Sequence, residues 1–141
     1  MHKITINRRA RFDYQLGERF EAGLVLTGHE IKLIRRQAVN IQDAFAVFRN
    51  GELFLINMQL GDRTSQPTPA NLSSRHPKLL LHQRQLQRLQ QQLTHKRLVI
   101  IPLRLYLKSQ RAKIEIALAC PRRKYDKRQL LKTREADRNM E

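Results

Sequence analysis

Five histidines, at positions 2, 29, 76, 82 and 95, and one cysteine, Cys120, are the residues of this 141-residue chain best suited to metal binding or nucleophilic chemistry. Their spacing supports neither. No His-x-x-x-His pair or Cys pair offers metal-ligand spacing, and a lone cysteine forms no internal disulfide. His29-Glu30 sets an imidazole next to a carboxylate, but adjacent helical residues point in different directions, so the pair reads as structural. Carboxylates are scarce and there is no glycine-rich phosphate loop. The expectation is a protein with no catalytic residue, metal or cofactor; the enzymatic alternative is RNA cleavage or modification at His29 or His82. Charge is the dominant chemistry: 28 Lys+Arg against 12 Asp+Glu give a formal net charge of +16. Self-repulsion of that size is relieved by a polyanion, so nucleic acid is the first partner to consider and an anionic membrane surface the second.

The elements that must carry those charges bound the choice further. The length suits one domain with a single core, and 40% hydrophobic residues argue for a folded chain. No apolar run approaches the ~18 residues that span a bilayer, and MHKITINRRAR lacks the apolar core of a secretory signal. The expected location is the cytoplasm or an equivalent reducing compartment of an organelle. FEAGLVL (20–26) has strand character. Thr27 then precedes Glu30 by three residues, the spacing of a capping box, and the helix it opens runs to about Gln37 with Ile31 and Ile34 on one face. AFAVFRNGELFLINM is a hairpin turning at Asn50-Gly51. Residues 61–77 read as a long loop, followed by a helix from His82 to Lys96 with a narrow stripe of Leu86, Leu89 and Leu93.

RLVIIPLRLYLK and RAKIEIALA alternate in the manner of antiparallel strands with one wet face. Val99, Ile101, Leu103, Leu105 and Leu107 are expected on one side, with Arg104, Tyr106 and Lys108 on the other. In the next strand Ile114, Ile116 and Leu118 oppose Lys113 and Glu115. Pro102, which has no N–H to give a ladder, belongs at an edge, a strand start or a bulge. The predicted fold is mainly β, an oligonucleotide-binding-type antiparallel barrel with two or three flanking helices. The domain organisation is a barrel over residues 1–120 and a basic C-terminal tail over 121–141.

Arg104, Tyr106, Lys108 and Lys113 fit a phosphate-tracking face with an aromatic platform; an ordinary solvated sheet face fits them equally. No zinc finger, basic heptad or long recognition helix offers a way to read the major groove, so RNA or a single strand suits a sheet-based binder better. PRRKYDKRQ (121–129) leaves two readings open, a plain basic tail or a segment that orders on a partner.

Several segments, taken together and in order, resemble the small protein B family, the tmRNA-binding proteins of bacterial trans-translation. They are NRRARFDY (7–14), FEAGLVLTGHEIK (20–32), VNIQDAFAVFRNGELFL (39–55), KLLLHQRQL (78–86), LVIIPLRLYLKSQRAKIEIALA (98–119) and YDKR (125–128). The resemblance implies an RNA-binding adaptor that binds the tRNA-like domain of tmRNA. With elongation factor Tu it would accompany that RNA into a stalled ribosome, the tail meeting small-subunit rRNA in the decoding centre and empty mRNA channel. The family's RNA-binding positions correspond here to Asn7, Glu21, Leu80 and Lys113. Arg122, Arg123, Lys124, Tyr125, Asp126, Lys127 and Arg128 correspond to the hinge and first part of the tail, with Asp126, Lys127 and Arg128 needed after tmRNA is bound.

In chemical terms Lys113 suits a phosphate and Asn7 a hydrogen bond to RNA. Glu21 suits an arginine to orient, or a base or ribose hydroxyl to accept from. Leu80 reads as packing beneath the surface, and Gly23 as a bulge or a close backbone approach. Where the family carries Lys-Gly before the tail, this chain has Cys120-Pro121, a stiffer hinge. A generic single-strand or ribosomal-RNA-binding barrel is the alternative function.

Overall fold

A computed structural model describes residues 2–60, 76–94 and 97–122. The chain order is β1 (His2–Ile6), α1 (Ala10–Asp13), β2 (Tyr14–Leu24), α2 (Gly28–Arg35), β3 (Val39–Asn40), β4 (Phe45–Arg49), β5 (Glu52–Ile56), β6 (Gln59–Leu60), β7 (Lys78–Leu80), α3 (Gln83–Leu93), β8 (Val99–Lys108) and β9 (Arg111–Pro121). The main sheet runs β1-β8-β4-β5-β7-β2-β9, and β8 also pairs with β9, so the sheet closes on itself with β1 as an added strand. All pairings are antiparallel. Closure leaves few free strand edges, and the mainly β, barrel-type expectation holds.

Two apolar clusters build it. The ring's interior is filled by inward residues such as Ile34, Leu53, Leu55, Leu79, Leu89, Ile100, Leu105, Ile114 and Ile116. A second cluster, Ala10, Ile101, Leu103, Ala117 and Ala119, lies under α1. The two meet on β8, whose register with β9 shifts between Pro102 and Arg104. That bulge reverses the phase of the strand. Val99, Ile101 and Leu103 therefore face α1 while Leu105 and Leu107 face the barrel, so the single apolar face expected from strict alternation is split in two. The bulge falls beside Pro102, one of the positions its missing N–H allowed.

Local chemistry explains the remaining elements. Thr27 Oγ1 accepts from the Glu30 N–H at 3.2 Å and Glu30 Oε1 accepts from the Thr27 N–H at 2.8 Å, so the capping box forms as spaced. Its helix ends at Arg35, and Gln37 has left the helix with φ 61°. In α3, Leu89 is fully buried while Leu86 and Leu93 are packed at the margin. Asn50-Gly51 turns the β4–β5 hairpin with both φ values positive, 51° and 78°. The β8–β9 hairpin uses the same backbone at Ser109 and Gln110, φ 51° and 64°, without that sequence signal. Residues 61–75, most of the expected long loop, lie outside the described residues. Cys120 and Pro121 are no free hinge: they end β9, paired with Gln15 and Tyr14.

Candidate nucleic-acid interface

Strand register lines up the outward residues of four strands. Gly23 pairs with Leu80 on one side and Lys113 on the other, and Lys113 pairs with Tyr106. One row therefore crosses the wall as Leu80, Gly23, Lys113, Tyr106. The next runs Glu21, Glu115, Arg104. β2 supplies the centre of both rows because Phe20, Ala22 and Leu24 point inward and are buried, which turns Arg19, Glu21 and Gly23 outward.

Two carboxylates directly opposite each other repel, and cations resolve this pair. Glu115 is bridged by Arg104 at 3.1 Å and Arg19 at 3.6 Å. Glu21 accepts a hydrogen bond from the Tyr106 hydroxyl and lies 3.8 Å from Lys108 Nζ. That hydrogen bond, with Lys108, Lys113 and Arg104 around it, holds the Glu21 carboxyl below its ordinary value of 4.5, against the opposing effect of burial. Burial, and then Glu21 itself, push the Tyr106 phenol above its usual range. Tyr106 is only 2% exposed, and the Arg104 guanidinium stands 5.4 Å from its ring centroid. A base cannot stack on a buried ring, so Tyr106 is a brace for Glu21 and Arg104 rather than the expected aromatic platform.

Leu80 also departs from expectation. It is 51% exposed, an apolar step on the surface rather than packing beneath it. Gly23 is not a bulge; the irregularity in β2 falls between Leu16 and Arg19. A Cβ at Gly23 would stand 3.6 Å from the Leu80 Cβ and 3.7 Å from Lys113 Nζ. Those are ordinary contacts, so the glycine keeps a shallow floor between the leucine and the ammonium. Glu21, Leu80 and Lys113 are thus one constellation, with Arg104 and Lys108 at its rim.

Asn7 stands apart. Only 8% exposed, its Nδ2 donates to Pro102 O at 3.0 Å and its backbone N–H to Leu103 O at 2.7 Å, while its Oδ1 has no hydrogen-bond partner. Its first role is to pin the end of β1 across the β8 bulge. It borders a cavity of about 400 Å³ whose wall includes Arg8, Arg11, Arg19 and Arg104. This cavity shares Arg104 and Glu115 with the second row, and Arg19, which bridges to Glu115, also lines it, so one surface continues from Leu80 to α1.

Sequence alone does not mark Arg19 and Glu115 as site residues, though the alternation of residues 19–24 carries the signal for Arg19. Arg8 and Arg11 lie in the stretch NRRARFDY, to which the sequence gives no site role beyond Asn7; they join the surface where the chain turns into α1. Arg122 is the last of the described residues; Arg123, Lys124, Tyr125, Asp126, Lys127 and Arg128 lie outside them. His29 and His82 sit at the starts of α2 and α3, and among the described residues no His, Cys, Asp and Glu group could hold a metal ion. No described helix is long and apolar enough to cross a membrane.

A depressed Glu21 pKa has a consequence for stability. A carboxyl whose folded pKa lies below its unfolded value stabilises the fold above the unfolded value, and that contribution is lost as pH falls through the folded one. Glu21→Gln, which keeps an oxygen to accept from Tyr106, should therefore flatten the acid side of the stability curve below 4.5. Urea melts across that range check it; a variant as steeply acid-sensitive as the parent would remove Glu21 from this role.

The fold is a closed antiparallel barrel of the oligonucleotide-binding type, whose outer wall sets Arg19, Arg104, Lys108 and Lys113 among two carboxylates and beside the exposed Leu80. Comparison with known proteins specifies the family. The model of the SmpB protein family matches residues 4–141. The SsrA-binding protein of Limosilactobacillus fermentum is 43% identical over 138 residues, covering 98% of this chain and 88% of that protein. The SsrA-binding protein of Thermobifida fusca is 44% identical over 139 residues, covering 98% and 86%. A solved chain described as "tmRNA-SmpB: a journey to the center of the bacterial ribosome" superposes with a TM-score of 0.66 at 35% identity, covering 90% of this chain and 93% of its own. The chain belongs to the SmpB protein family.

Proposed function

We propose that the protein is a non-enzymatic RNA-binding adaptor of trans-translation. It binds the tRNA-like domain of tmRNA on the β7–β2–β9–β8 wall and delivers it, with elongation factor Tu, to ribosomes stalled in the bacterial cytoplasm or an organellar equivalent. The barrel, residues 1–120, carries the RNA. The tail, residues 121–141, meets small-subunit rRNA in the decoding centre and empty mRNA channel.

The observation that supports this reading most is the constellation of Glu21, Leu80 and Lys113 around Gly23, in a chain that belongs to this family over nearly its full length. The ammonium of Lys113 takes a phosphate. The apolar step of Leu80 takes a ribose or base edge, and Glu21 works by holding Tyr106 and Lys108 rather than by touching phosphate. Asn7 acts through the β1–β8 junction that supports the arginine-lined cavity.

A titration against the tRNA-like domain of tmRNA and an unrelated structured RNA of equal length, each at two salt concentrations, tests the reading. A preference for the tmRNA domain that survives the higher salt is expected, because contacts to shape outlast the counterion contribution. Equal affinities falling together would identify a generic RNA-binding barrel, and turnover of labelled RNA an enzyme.

A further inference from the structure

We propose that Arg122 is a positioning residue, a staple that fixes where the C-terminal segment leaves the barrel by tying its root to α1. α1 is a single turn, Ala10–Asp13, and a turn that short does not persist without tertiary support. Its last carbonyls have no partner within the helix. Arg122 supplies them. Its backbone N–H donates to Asp13 O at 2.9 Å, and its Nε–H is shared between Arg11 O at 3.2 Å and Tyr14 O at 3.3 Å. A guanidinium at the C-terminal end of a helix is also favoured by the carbonyl dipoles.

The residue before it is equally held. Pro121 pairs with Tyr14 at the end of β9, and its ring fixes φ. The chain is therefore held up to Arg122, the last of the described residues. The anchor is itself tied to the RNA surface: Ala10 is buried in the second apolar cluster, and Arg8 and Arg11 line the arginine-rich cavity. Arg11 thus presents its carbonyl to the staple and its residue to the cavity wall.

A fixed take-off removes directions the tail would otherwise search and so lowers the ordering cost of docking. That consequence rests on the function proposed for the tail; the staple itself does not. The test uses full-length protein and the variants Arg122→Ala and Arg122→Lys, the latter keeping a cation and an N–H donor. Affinity for the tRNA-like domain and peptide tagging on stalled ribosomes are measured for each. Pulsed spin-label distances between Gln87→Cys and Lys124→Cys, in a Cys120→Ser background, report the take-off directly.

Arg122→Ala should broaden the distance distribution and lower tagging about tenfold through lost pre-organisation, with RNA affinity unchanged; Arg122→Lys should restore most of both. An unbroadened distribution in Arg122→Ala would overturn the staple. A loss of RNA affinity parallel to the loss of tagging would make Arg122 an RNA-binding residue instead. Failure of the proposed function would show in the parent protein, as no preference for the tmRNA domain, and would leave the distance measurement decisive for the staple.

Discussion

Lys113→Glu lowers the affinity for the tRNA-like domain of tmRNA by about 10- to 100-fold, the range that follows from losing one charge-assisted hydrogen bond to phosphate. Lys113 holds the middle of a row with the flat floor of Gly23 on one side and the braced Tyr106 on the other. A glutamate there adds a carboxylate next to Glu21 and Glu115, whose cations are already engaged. The repulsion falls on the proposed RNA-facing wall, and the salt dependence should shallow by about 0.7 to 0.9 in the log–log slope for each phosphate that is no longer neutralised. Lys113→Ala, which removes the ammonium without adding repulsion, should sit between parent and reversal. Filter-binding titrations over a range of salt, with thermal melts to show that each variant folds, measure both quantities. Parental affinity and slope in Lys113→Glu would place the RNA elsewhere.

Joint replacement of Asp126, Lys127 and Arg128 by alanine has the opposite signature. RNA affinity stays at the parental level, because the barrel wall is untouched, while peptide tagging on stalled ribosomes falls by about 100-fold or more, the scale of losing groups that position a reaction. The expectation comes from the match of these residues to the family's tail motif. The two cations suit rRNA phosphates, and the carboxylate between Tyr125 and Lys127 suits a partner that holds one of those cations in register. Tagging at the parental rate would remove the tail motif from the mechanism. A matching loss of RNA affinity would instead make the tail part of the tmRNA-binding surface. Together the two experiments separate holding the RNA from using it on the ribosome.

The parts of the fold that could be read in advance are those specified by neighbours in sequence. Asn50-Gly51 needs only its own backbone preference to make a turn, and Thr27 with Glu30 needs only one another. β8 could not be read to the same depth, because its change of phase depends on two separate cores, one inside the ring and one beneath α1. α1 has no sequence pattern of its own; it exists where Ala10 finds the second core and Arg122 finds its carbonyls. The site followed the same division. Lys113 could be placed by alternation and charge. Tyr106 could not, because alternation says that a side chain faces outward and says nothing of what covers it. Leu80 escapes such a reading for the converse reason: leucine favours burial on average, and only the three-stranded register around Gly23 leaves this one uncovered.

Glu21 and Tyr106 are 85 residues apart in sequence yet share a hydrogen bond. β2, at the heart of the proposed RNA-facing wall, has β9 as its partner along nearly its whole length. While the chain is being made, β2 therefore waits for the strand that comes last among those described. A nascent chain with Arg19 and Glu21 but without β8 and β9 has cations and no wall to set them on. On the proposed RNA face, recognition of shape should therefore begin only when the ring closes. Any event that parts β2 from β9 should release the RNA at the same moment, so this protein's affinity for its partner and its tertiary structure share a single point of failure.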